Sequence, residues 1–182
     1  MKPKTKKRKI RPRSSVKAYV ICDVAGWKKI SAVESKCRKW AAAAASAVLG
    51  GSRAELTIVL SNDKLLKRLN CDWRGKNKPT NVLSFPNYDR VIVKALQKKR
   101  GVKEPLMLGD VAIALETVKR EAKTQHKTIE AHLAHMVIHG TLHLLGHDHM
   151  VQKQAKYMET LEKNILRQFG FSNPYEYGKV KK

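Results

Sequence analysis

The chain has 182 residues and 42% hydrophobic content, enough for one domain with a real core. Its 38 Lys and Arg against 15 Asp and Glu give a net charge of +23, a field that draws in polyanions. Three cysteines, odd in number and without CxxC spacing, suggest no disulfide framework and favour a reducing, cytoplasmic setting. No apolar run approaches the length of a membrane span, and no long amphipathic basic helix marks a membrane surface as partner.

Residues 1–16 read as a basic disordered arm. Met1 to Arg13 carries eight positive charges, two prolines and no acid. A single domain is expected over 17–172, followed by a basic tail over 173–182. Tyr19 to Cys22 is the first expected strand. A helix begins at Ser31, with Glu34 at the capping-box position, runs through the alanines 41–45 and stops at Gly50 and Gly51. Glu55 to Leu60 alternates as a strand. Asn62 caps a short helix to Leu69, and a loop from Asn70 to Asn81 leads into a strand from Val82 to Phe85. Residues 87–105 form a basic elaboration with a helix near Val91 to Lys99. Leu108 to Leu115 is a strand and Thr117 to Gln125 a helix. Thr128 caps the next helix, which breaks at Gly146, and Val151 to Phe169 is the last. The sum is an α/β (α+β) fold, a small mixed four-stranded sheet packed with helices.

All seven histidines fall between His126 and His149. Among them His139 and His143 stand four apart. On a helix they share one face, about 6 Å apart along the axis, and can share one cation. Gly146 permits the reversal that returns His149 as a third ligand. The spacing is that of the metzincin zinc proteases, ligand for ligand, but the general-base Glu of those enzymes is replaced by Gly140. Three nitrogens leave a fourth position open for water, whose pKa zinc brings to about 7. One Zn2+ per chain is the expected cofactor. A rival triad of His135, His139 and His143 would spread over about 12 Å of straight helix. His132 and His135 are assigned to packing, hydrogen bonding or the mouth of the site, and His126 to the surface. His147 is either a turn residue or a proton donor lining the site. Asp148 is a candidate to hold a ligand imidazole by its second nitrogen.

The segment His139 to His149 resembles the histidine motif of the YbeY family of endoribonucleases. Arg74 to Pro86 is similar to that family's second signature and Leu108 to Ile113 to its third. Met158-Glu159, Glu162 and Ile165-Leu166 are similar to its final helix. The resemblance covers most of residues 54–169. It implies a zinc-dependent, single-strand-specific endoribonuclease that acts in ribosomal RNA maturation, including 16S rRNA 3′-end processing, and in ribosome quality control. RNA and ribosomal particles are the partners it implies. It implies His139, His143 and His149 as metal ligands and a functional, catalytic role for Arg74. Position 147 is often tyrosine in the family and is histidine here. Read from the residues alone, Arg74, Lys76 and Lys78 offer phosphate a planar fork and point charges. Trp73 either stacks on a base or packs against the sheet, with packing favoured. Two other readings stand beside the nuclease: a zinc peptidase-like hydrolase, which Gly140 opposes, and a non-catalytic RNA-binding ribosome-assembly factor with a structural metal.

Overall fold

The computed structural model describes residues 16–50, 52–98, 104–148 and 151–176. Residues 1–15 of the basic arm therefore lie outside the described residues, as do His149 and the end of the tail, while Val16, counted with the arm, opens the first strand. The elements follow in the order β1 (Val16–Cys22), a 3-10 turn (Ala25–Lys29), α1 (Val33–Leu49), β2 (Ala54–Ser61), α2 (Asp63–Arg74) and β3 (Val82–Pro86). There follow α3 (Arg90–Lys98), β4 (Leu106–Ala114), α4 (Leu115–Thr124), α5 (Ile129–Leu144) and α6 (Gln152–Gln168). The four strands form one mixed sheet in the order β1-β2-β4-β3. β1 and β4 run parallel to β2, and β3 is antiparallel to β4. This is the small mixed sheet expected from the sequence.

Strand alternation divides the core. On one face Leu56, Ile58 and Leu60 of β2 and Val111 and Ile113 of β4 join the main cluster with α1, α5 and α6. On the other, Val59, Leu83, Phe85, Ala112 and Ala114 meet Leu65, Leu66 and Leu69 of α2 in a smaller cluster. The period of two in the sequence thus sorts residues between two helical layers.

Two expected caps form: the Asn62 side chain accepts from Leu65 N, and the Thr128 hydroxyl from Ala131 N. The capping box at Ser31 does not. α1 starts at Val33 after Ala32, which has a φ of 53° and gives no side-chain cap, and Glu34 pairs instead with Arg38 at 3.0 Å. The cause is the preceding 3-10 turn. Trp27 is fully buried and donates its indole N–H to Ser61 O at 2.9 Å, which ties the chain to the end of β2 and dictates a tight entry into α1. The helix expected to end at Leu69 runs on to Arg74. Buried Asn70 donates to Lys78 O at 2.8 Å, so the following loop folds back against the last turn. Arg74 is therefore the final residue of a helix rather than part of a loop.

α5 lies close on the sheet at Gly140. A Cβ built there would sit 2.6 Å from Val111 Cγ1 and 3.2 Å from Ser84 Oγ, while Ser84 Oγ donates to Gly140 O at 3.1 Å. Val111 is fully buried and β-branched, so it has little room to turn away. Gly140→Ala would gain about 1 kcal/mol in helix propensity but incur an overpacking cost of about 1–3 kcal/mol. We expect net destabilisation, read as a lower urea midpoint at unchanged m-value; an equal or higher midpoint would show that α5 can lift off the sheet freely.

Candidate metal centre and adjoining cleft

His139 and His143 lie on the same face of α5, and their Nε2 atoms approach to 3.1 Å. Two nitrogens bound to one zinc at about 2.05 Å in tetrahedral geometry stand about 3.3 Å apart. The pair is thus close to the spacing that a shared cation requires. Helix α5 then ends in a Schellman motif. Gly146 N donates to His143 O at 2.9 Å and His147 N to Leu142 O at 3.1 Å, and Gly146 takes a φ of 75°. This reversal carries Asp148 to the cleft that His139 and His143 line. Gly146 also receives the start of α3: a Cβ there would stand 2.6 Å from Arg90 Cα.

Behind the histidines sits a residue to which the sequence reading gave no role at the site. Glu162 of α6 is fully buried. Its Oε1 is 2.8 Å from His139 Nδ1, its Oε2 is 3.1 Å from His135 Nε2, and the Tyr175 hydroxyl donates to the same Oε2. Burial alone would raise this carboxyl, but hydrogen bonds from His135 and His139 and their charge outweigh it and bring it down to about 2. Glu162 holds His139 by its Nδ1, which leaves Nε2 as the nitrogen directed toward His143. That is how carboxylates prepare histidines for metals. Among the described residues the ion-pair partners of Glu162 are His135 and His139.

His135, His139 and Glu162 form a group that could hold a metal ion, with ligand atoms within 4.8 Å of one another. His135 is 9% exposed, and burial lowers its pKa more than Glu162 raises it. His132 is buried as well, with Nε2 2.8 Å from Glu121 Oε2, and Glu121 in turn accepts from Asn81 Nδ2 at 2.9 Å. This relay holds Asn81 in the cleft wall, so His132 acts through hydrogen bonding as expected. His126 is exposed. His147 faces a different cleft, where it stacks on Tyr157 with ring centroids 5.6 Å apart. Tyr175, read as tail on sequence, reaches back to the site through Glu162.

The cleft of about 490 Å³ beside His139 and His143 is lined also by Arg74, Asn81, Ser84 and Asp148. Arg74 arrives from the end of α2, on the far side of β3, and the fold brings it to the histidines across some 65 residues of sequence. Trp73 touches Phe85 at 5.7 Å, edge to face, yet remains 71% exposed, so packing accounts for only part of it.

Fold and site together define an α/β protein in which a histidine cluster able to hold a metal shares a cleft with an arginine. Residues 24–170 match the family model described as Endoribonuclease YbeY. The Endoribonuclease YbeY of Parvibaculum lavamentivorans is 43% identical over 173 residues, covering 93% of this chain and 92% of the relative. That of Rhizobium etli is 48% identical over 122 residues, 67% of each chain. The solution structure of TM1509 from Thermotoga maritima aligns with a TM-score of 0.50 at 22% identity, covering 91% of this chain and 99% of that one, a likeness of fold. The chain belongs to the YbeY endoribonuclease family.

Glu162→Gln keeps the volume and removes the charge that fixes His139. Divalent-metal affinity, measured by competition with a chromogenic chelator, should fall by about 10- to 100-fold while the circular dichroism spectrum stays native. Undiminished affinity would remove Glu162 from the metal centre.

Proposed function

We propose that this protein is a zinc-dependent endoribonuclease that cuts single-stranded RNA during ribosomal RNA maturation. The observation that carries the reading is the single cleft in which Arg74 faces the paired imidazoles of His139 and His143. His139, His143 and His149 are the proposed ligands. The first two converge at 3.1 Å, and the residue before the third lines the cleft. The alternative grouping with His135 and Glu162 lies behind His139, on its buried side. The Nε2 side is favoured because it opens to the space a substrate would occupy.

When bound, zinc supplies a Lewis acid that polarises a phosphate oxygen or acidifies a water. Every other part falls to the chain. Arg74, anchored at a helix end, binds the phosphate by its planar fork and offsets the charge that builds on it as the bond to the leaving oxygen breaks. Glu162 grips the Nδ1 of His139 and so holds its ring in one orientation. Asn81, fastened to Glu121, and Ser84, fastened to Gly140 O, fix the opposite wall. The +23 charge concentrates RNA near the cleft, and the basic arm over residues 1–16 is assigned to that same sequence-independent attraction. The peptidase-like reading loses ground at Gly140. That position is pressed against Val111 and Ser84 and has no room for the carboxylate that a protease keeps there.

His143→Ala should release most of the zinc, seen by elemental analysis, and abolish cleavage. Arg74→Ala should retain zinc and fold yet lose about a hundredfold or more in rate, with Arg74→Lys recovering only part. Cleavage of single-stranded over duplex RNA, lost on chelation and restored by zinc, is the expected pattern. A zinc-loaded Arg74→Ala enzyme with full activity would overturn the role of Arg74, and a chelator-treated protein that still cuts would overturn the metal.

A further inference from the structure

The geometry points to a second element of the substrate site: a nucleobase subsite in the groove beside Arg74, with Trp73 as its stacking platform. This rests on the reading of the main cleft as an RNA site and specifies how a single strand is held there.

The groove measures about 820 Å³ and its floor is apolar, formed by Leu65, Leu69, Phe85 and Ala112. It is continuous with the main cleft, because Arg74, Leu83, Ser84 and Pro86 line both. Trp73 is the residue before Arg74, so the indole and the guanidinium project from adjacent positions of one rigid helix end into adjoining spaces. The exposure of Trp73 is exceptional in this chain: it is 71% exposed, whereas Trp27 and Trp40 are 0% and 2%. Phe85 meets it at 67° and 5.7 Å, which restrains the indole without covering it.

Charge selects which part of a nucleotide enters. Besides Arg74, the ionisable residue of the groove is Asp110. A carboxylate repels phosphate and accepts hydrogen bonds from the exocyclic amines of bases. The phosphate therefore stays with Arg74 and the base turns into the groove against Trp73. A base in a duplex is stacked on both faces and paired at its edge, so it cannot enter, whereas a single strand can splay it out. The groove thus gives a physical origin for single-strand selectivity that the metal centre by itself does not contain.

The burial of the other two tryptophans makes Trp73 its own reporter. With zinc-loaded protein and a short 2′-O-methyl oligonucleotide, single-stranded RNA should quench the solvent-accessible tryptophan emission. The same sequence as a duplex should not, nor should an abasic strand of equal length, although both still bind through their phosphates. Trp73→Ala should raise KM for single-stranded RNA about ten-fold with kcat changed far less, and Trp73→Phe should restore most of the affinity. Equal quenching by the abasic strand, or an unchanged KM in Trp73→Ala, would overturn the subsite. So would an emission change that follows protein concentration without RNA, which would assign the groove to a second copy of the chain. Quenching by an intact single strand in a protein that cuts no RNA would leave the subsite standing and sink the nuclease reading. Normal cutting with no quenching would do the reverse.

Discussion

A fully buried, ionised carboxylate is the constraint on which the rest of this molecule turns. Glu162 sits where α5, α6 and the C-terminal segment meet, and it accepts from His139, His135 and Tyr175. Removing one partner of a buried charge typically costs about 3–5 kcal/mol, so this interaction fixes both packing and chemistry. It docks α6 on α5, draws residue 175 back to the domain, and holds the His139 ring by its Nδ1. The Nε2 of His139 is left to face His143 because its Nδ1 is committed to Glu162.

The second constraint is the closeness of α5 to the sheet. Gly140 lets Val111 and the Ser84 hydroxyl reach the helix backbone, and this brings the histidine face to β3. β3 also flanks α2, so the sheet edge becomes the wall between the histidines and the arginine. A side chain at position 140 would widen this gap. The position that carries the general-base Glu in proteases with the same histidine spacing is here given over to packing.

Much of this was legible in the sequence. The alternation in β2 and β4, the caps at Asn62 and Thr128, and the stop at Gly146 are local signals, and local backbone physics reads them. The pairing of His139 with His143 is legible for the same reason, since a separation of four residues is a statement about one helix face. The capping box at Ser31 failed because a distant hydrogen bond, from Trp27 to Ser61 O, set the entry angle of α1. The helix ending at Leu69 failed because Asn70 found a partner eight residues on. Both misses come from tertiary contacts overriding a local preference.

Glu162 had a weaker signal. It falls on the apolar stripe of α6 with Met158, Ile165 and Leu166, and a carboxylate in such a stripe requires a partner. The sequence cannot say which partner, because the answer lies on another helix. By itself the sequence determined the mixed α/β sheet, the helical histidine pair and the excess positive charge, all set by spacing and composition. Tertiary structure alone decided that Arg74 joins the histidines, that Glu162 holds His139, that His147 faces another cleft and that Trp73 stays exposed. Each of these depends on distances between elements far apart in the chain, and no local periodicity encodes such distances.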